Sequence, residues 1–163
     1  MGDLDQLACA MVEYERGCPK RIQHFIKVYG FARLIGAAEG LDAKLQDILE
    51  AAALVHDIGI RPALEKYASS SGLLQEREGV APARKMLTSL NFEEALIDRV
   101  CFLVAHHHTY TGVDGLDYQI LLEADFLVNA YESEFSLDAI LTAKERFFQT
   151  ETGKKILMDM FGV

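Results

Sequence analysis

The chain has 163 residues and a formal net charge of −9; half of its residues are apolar and a quarter are charged. That is enough chain to bury a core without disulfide staples, and its acidity excludes the broad basic face that a nucleic-acid polymer would need. Cys9, Cys18 and Cys101 show no metal-ligand spacing and suit a reducing, cytoplasmic setting, while the acidic start MGDLDQL is not a secretory signal and no apolar run is long enough for a membrane span.

Helical periodicity runs through nearly the whole chain, and no convincing period-2 stretch interrupts it. Residues 4–15 form a modest amphipathic segment. Pro19 suits the first turn of a helix over about 20–39. There Ile22, Phe25, Ile26 and Tyr29 make one apolar stripe, and Val28, Phe31 and Ile35 another, so this helix is expected to be largely buried until Gly40 ends it. The next helix runs from Asp42 or Ala43 to about Asp57. Its later half, ILEAAALV, carries one charge and belongs at the centre of the core. Gly59 and Pro62 break it. Residues 62–68 read as a short helix and SSSG at 69–72 as a loop. A helix over 75–90 stops at Asn91, and another runs from Glu93 to about His107. After the loop TYTGVDG, a helix over about 117–132 contains ILLEADFLV, and two more follow near 136–146 and 150–160. The expected fold is all-α, a single compact domain over 1–163 with its motif core at about 20–132 and C-terminal helices at about 136–160.

Several polar side chains sit where this pattern wants apolar ones. His24 lies on the stripe that continues to Val28, Phe31 and Ile35. His56 and Asp57 stand side by side at the end of the most apolar helix. Asp125 shares a face with Leu121 and Val128, and AHHHTY places His106, His107 and His108 at a helix end. Each has a plain structural reading by itself. A lone His on an apolar face is often a packed core residue, a His–Asp pair can hydrogen-bond to backbone, and a triple His can be an exposed helix terminus favoured by the dipole. Among the three, His107 follows Val100, Leu103 and Val104 at helical spacing and faces the core best.

The combination is harder to explain that way. An uncompensated buried carboxylate costs several kcal/mol, and this chain offers two of them, together with two imidazoles, on separate buried helices. His24, His56, Asp57 and Asp125 are a donor set for one divalent ion such as Fe, Mn, Co or Ni, with Mg admissible, and they leave coordination positions for water and substrate. An ion there would neutralise the acids and take up the imidazole lone pairs.

The order H…HD…D, with HFIKV at 24–28, AALVHDIG at 52–59 and EADFLV at 123–128, resembles the HD-domain superfamily of metal-dependent phosphohydrolases. The resemblance implies a helical core whose four motif residues hold a metal, and hydrolysis of phosphate esters, often of nucleotides. It further implies that His107 and His108 match the extra ligands of subfamilies with a second ion. The third extra ligand of that site is usually a His four residues before a Gly. Here Gln75 precedes Gly79 at that distance, with Glu76 or Glu78 as substitute oxygen ligands. The Lys that often follows HDIG is replaced by Ile60, and the Gly-Tyr-Pro signature of cyclic-dinucleotide hydrolases does not follow HHHTYTGVDG, so that activity is not expected.

On this reading Asp57 orients water or takes its proton, and His107 or His108 stabilises the phosphate or protonates the leaving oxygen. Lys27, Arg61 and Arg77 are candidate substrate contacts by their nearness to the motifs. The expected partner is a small anionic phosphate compound, with no membrane and with self-association left open. Two other classes remain beside hydrolysis: a di-iron oxygenase of HD type, and a non-catalytic ligand-binding module that keeps its metal for stability.

Overall fold

The computed structural model describes residues 2–163, and Met1 lies outside them. Among the described residues the regular structure consists of nine α-helices: α1 (Leu4–Tyr14), α2 (Pro19–Ala38), α3 (Ala43–Val55), α4 (Ile60–Tyr67), α5 (Gly72–Ser89), α6 (Glu94–Val104), α7 (Leu116–Glu132), α8 (Leu137–Arg146) and α9 (Glu151–Phe161). The all-α expectation holds.

α3 is the axle. Every residue from Ile48 to Val55 is buried, the charged Glu50 included. A helix apolar all round has to be surrounded. Here α2, α7, α6 and α1 pack about it, and α2 also packs along α7. α2 starts with Pro19 at its first position, where a missing N–H costs nothing, and stops before Gly40 at φ 78°. Asn91 likewise follows α5 with φ 61°, a conformation Asn tolerates well.

Four helix ends differ from the sequence expectation, and side-chain hydrogen bonds explain three of them. α3 stops at Val55, two residues early, because His56 Nδ1 takes the Ala53 carbonyl at 2.7 Å; Asp57 to Gly59 then form a turn. α6 stops at Val104 rather than about His107 for the same reason. His106 Nδ1 reaches Phe102 O and His107 Nδ1 reaches Val104 O, both at 2.7 Å, so the triple His lies in the turn beyond. In each case a ring N–H satisfies a terminal carbonyl that no further helical N–H can reach. α4 begins at Ile60 because Pro62 falls within its first turn, where proline is tolerated. α5 begins at Gly72 because the Ser71 hydroxyl caps the Leu74 N–H, shortening the SSSG loop.

The two turns that carry the histidines are tied down. Tyr14 on α1 donates its hydroxyl to Ile58 O at 3.0 Å, beside the His56–Asp57 turn. The triple-His turn is held from both sides. Tyr118 OH donates to His106 O and Thr109 O, and Glu76 accepts from His108 N and Thr109 Oγ1. Arg99 then clamps the following loop to Asp114 and Asp117 at 2.8 Å.

Candidate metal centre

His24 projects from the middle of α2, His56 and Asp57 from the turn after α3, and Asp125 from the middle of α7. The packing of α2 and α7 about α3 brings all four together. His24 Nε2 lies 3.3 Å from His56 Nε2, 3.2 Å from Asp57 Oδ2 and 3.1 Å from Asp125 Oδ1. His56 Nε2 lies 3.4 Å from Asp57 Oδ2 and 3.3 Å from Asp125 Oδ1. Donors about 2.1 Å from one ion stand about 3.0 Å apart when adjacent in an octahedron and about 3.4 Å apart in a tetrahedron. The five spacings fall in that interval; His24, His56 and Asp57 form one group that could hold a first-row divalent ion, and Asp125 adds an oxygen beside both imidazoles.

The outer ring nitrogens agree. His56 gives its Nδ1 proton to Ala53 O, and His24 pairs Nδ1 with Glu132 Oε1 at 2.5 Å, which leaves both Nε2 atoms turned inward. The electrostatics show how strongly the acids hold positive charge here. Burial pulls the His24 pKa down, yet hydrogen bonds to Asp125 and Asp57 lift it to about 10. His56 is also raised despite complete burial, by the charge of Asp57 and its bond to Asp125. Burial pushes Asp57 and Asp125 upward, and the surrounding imidazoles override it, holding both well below the usual carboxylate range. A divalent cation competes for the point those protons occupy.

A second donor group adjoins the first. Asp57, His107 and His108 offer ligand atoms within 4.8 Å of one another, so Asp57 belongs to both groups. With Nδ1 donating to Val104 O, His107 points Nε2 at Asp57 Oδ1, 3.3 Å away, and that buried nitrogen makes no hydrogen bond. A buried orphan lone pair facing a carboxylate fits an ion between them. The substitutes suggested by sequence for the remaining ligand are elsewhere. Glu76 is spent on the triple-His turn, and Glu78 accepts from Lys66 and Tyr67. Gln75 itself stands there. Its Nε2 donates to Ser70 O, and its Oε1 accepts from His108 Nε2 at 2.7 Å.

The centre opens into a cleft of about 200 Å³ whose lining includes His24, Asp57, Gln75, His108 and Asp125. None of the three cations expected at a substrate lines it. Lys27 binds Glu132, Arg61 reaches Arg16 O and the Tyr14 ring, and Arg77 lies over the Tyr67 ring beside Glu78. Lys20 and Arg21 line it instead. They precede His24 by four and three residues, the spacing of helical neighbours, and that signal was present in the sequence. His107 is buried and does not line the cleft, whereas His108 does.

A small cleft lined both by the buried acids, which need a cation, and by Lys20 and Arg21 suits a metal-assisted reaction on a small anion. No curated protein matches the chain. Among solved structures, the crystal structure described as a predicted HD superfamily hydrolase from an uncultured Thermotogales bacterium is similar at a TM-score of 0.71 and 24% identity, over 98% of this chain and 85% of that one, a likeness of fold. The family model for the HD domain matches residues 21–143, a span that contains His24, the His56–Asp57 pair and Asp125, and the chain belongs to the HD domain family.

Proposed function

We propose that the chain is a metal-dependent phosphohydrolase, working in the cytoplasm on a small phosphate ester such as a nucleotide or another phosphomonoester. Family membership and the donor clusters support a metal-dependent hydrolase in general. One observation carries the finer reading: His24 and His56 each hold a ring nitrogen 3.1–3.4 Å from both Asp57 and Asp125, and His24, Asp57 and Asp125 line the same narrow cleft as Lys20 and Arg21. The cytoplasmic assignment draws on three free thiols and the absence of any disulfide among the described residues.

His24, His56, Asp57 and Asp125 would hold the first ion, and Asp57, His107 and His108 a second. When bound, the metal supplies Lewis acidity, offsetting charge on phosphoryl oxygens and lowering the pKa of water. The chain does the rest. Lys20 and Arg21 attract and orient the anion. Asp57 keeps one edge toward the cleft, 17% of its side chain exposed, and accepts a proton from attacking water. His108 faces the cleft, and burial beside His107 holds its pKa below the ordinary value, which favours the neutral ring that a metal ligand requires. His107 sits behind Asp57 and serves as a ligand.

The test combines metal analysis with turnover. Protein purified without chelator should carry metal, and a panel of phosphomonoesters and nucleotides should be hydrolysed with added Mn, Co, Ni or Mg. His56→Ala and Asp57→Ala should lose both. Bound metal with no ester hydrolysed would favour the binding-module reading. Oxygen consumption by the iron-loaded protein would favour the oxygenase reading, which draws on the second donor group.

A further inference from the structure

Three of the imidazoles around the centre, those of His24, His56 and His107, are oriented by two different means. His56 and His107 each cap a helix, and each gives its Nδ1 proton to a backbone carbonyl three residues back, Ala53 O and Val104 O. Those carbonyls are available because the helix ends there. His24 has no such option. It stands inside α2, where the carbonyls beneath it belong to the helical ladder. Its ring can be fixed only by a side chain from another element.

Glu132 is that side chain. It is the last residue of α7, seven residues after Asp125 and therefore on the same helix face. Its Oε1 lies 2.5 Å from His24 Nδ1, and its Oε2 accepts from Lys27 Nζ at 3.1 Å. Lys27 in turn follows His24 by three residues on α2. The α2–α7 contact thus has two levels. His24 meets Asp125 at the inner one, and Glu132 bridges His24 to Lys27 at the outer one.

We propose that Glu132 is the positioning residue of the metal centre. It fixes the His24 ring with Nε2 inward and strengthens it as a donor, and Lys27 is the brace that holds Glu132 in place. A carboxylate on the outer nitrogen of a metal-binding imidazole fixes its tautomer and raises its basicity. Lys27 also offsets a third carboxylate near Asp57 and Asp125. This assignment rests on the metal-centre reading, and it gives Lys27 a role other than substrate contact.

The experiment measures Mn(II) dissociation constants by competition with a chromophoric chelator, together with melting curves in excess chelator, for the wild type and the variants Glu132→Ala, Glu132→Gln, Lys27→Met and Glu132→Ala/Lys27→Met. His56→Ala is the control that removes a ligand. Glu132→Ala should weaken Mn(II) binding about 10- to 100-fold, with a chelated melting temperature close to wild type. Glu132→Gln keeps an acceptor for Nδ1–H and should recover part of the loss. Lys27→Met should weaken binding severalfold in the wild-type background and have no further effect once Glu132 is gone. Wild-type affinity in Glu132→Ala, or a Gln variant as weak as the Ala variant, overturns the positioning role while the metal centre stands. A Lys27→Met effect that persists without Glu132 overturns the brace. If the wild type and His56→Ala fail alike to bind Mn(II), the metal centre falls and this inference with it.

Discussion

At the residue scale, the acids at the centre are compensated by imidazoles, and this makes opposite pH predictions with and without metal. In chelator-treated protein, His24 at about 10 and the raised His56 contribute stability that is full below their ordinary 6.5 and is lost as pH rises through the folded values. Asp57 and Asp125 have folded pKa values depressed below 3.8, so their contribution is full above 3.8 and is lost as pH falls below it. The melting temperature in chelator should therefore peak between about pH 4 and 6.5 and fall toward pH 10. Metal binding displaces the imidazole protons, so Mn(II) affinity should instead rise from pH 6 to pH 9, by up to about tenfold per pH unit for each proton released. A flat affinity across that range would contradict ligation by His24 and His56. Asp57 takes part in both donor groups, so Asp57→Ala should cost more than about 100-fold in kcat/KM, read in steady-state assays of whichever ester the panel identifies.

At the element scale, the glycine of HDIG serves close approach. Gly59 has an ordinary φ of −75°, yet a Cβ there would stand 2.7 Å from Gly79 N and overlap the Gln75 carbonyl oxygen. Gly79 in turn abuts Val104. The two glycines let α5 lie directly against the turn before α4, and so they deliver Gln75 to the cleft. Gly59→Ala should cost about 1–3 kcal/mol in denaturant titrations and weaken metal binding by shifting the His56–Asp57 turn. The C-terminal helices depend on another buried acid. Glu123 is fully buried and accepts from Gln119 Nε2, Gln149 N, Thr150 N and Thr150 Oγ1. Glu123→Ala leaves Gln149 N, Thr150 N and the Thr150 hydroxyl unpaired, Gln119 keeping the Phe147 carbonyl, and should destabilise by about 2–4 kcal/mol, with increased amide exchange in α9 as the local signature.

At the scale of the whole molecule, the net charge of −9 disfavours anionic ligands, and Lys20 and Arg21, the latter also paired with Glu15, are the basic residues lining the cleft. Metal binding should also stabilise the entire fold, because its ligands come from α2, α7 and the turns after α3 and α6. At a free metal concentration 100 times the dissociation constant, the gain is about 2.7 kcal/mol. For a chain of this length that is roughly 5–10 °C in melting temperature, measurable by calorimetry with and without chelator. His56→Ala should abolish that increment.

The sequence by itself determined the all-α class, the order of the helices and the four motif residues. Those features are written in local terms: 3.6-residue periodicity, caps such as Gly40 and Asn91, and polar residues on otherwise apolar faces. It also placed His107 inward by helical phase, although that residue lies beyond the end of α6. Only the tertiary structure decided what spans two or more elements: that His24 needs Glu132 from α7, that Gln75 meets His108, that Lys27 is occupied with Glu132 while Lys20 and Arg21 face the cleft, and where α3 and α6 stop. Sequence spacing gives the face on which a side chain lies. Which partner waits on that face depends on how two helices cross, and that is set by packing over the whole core.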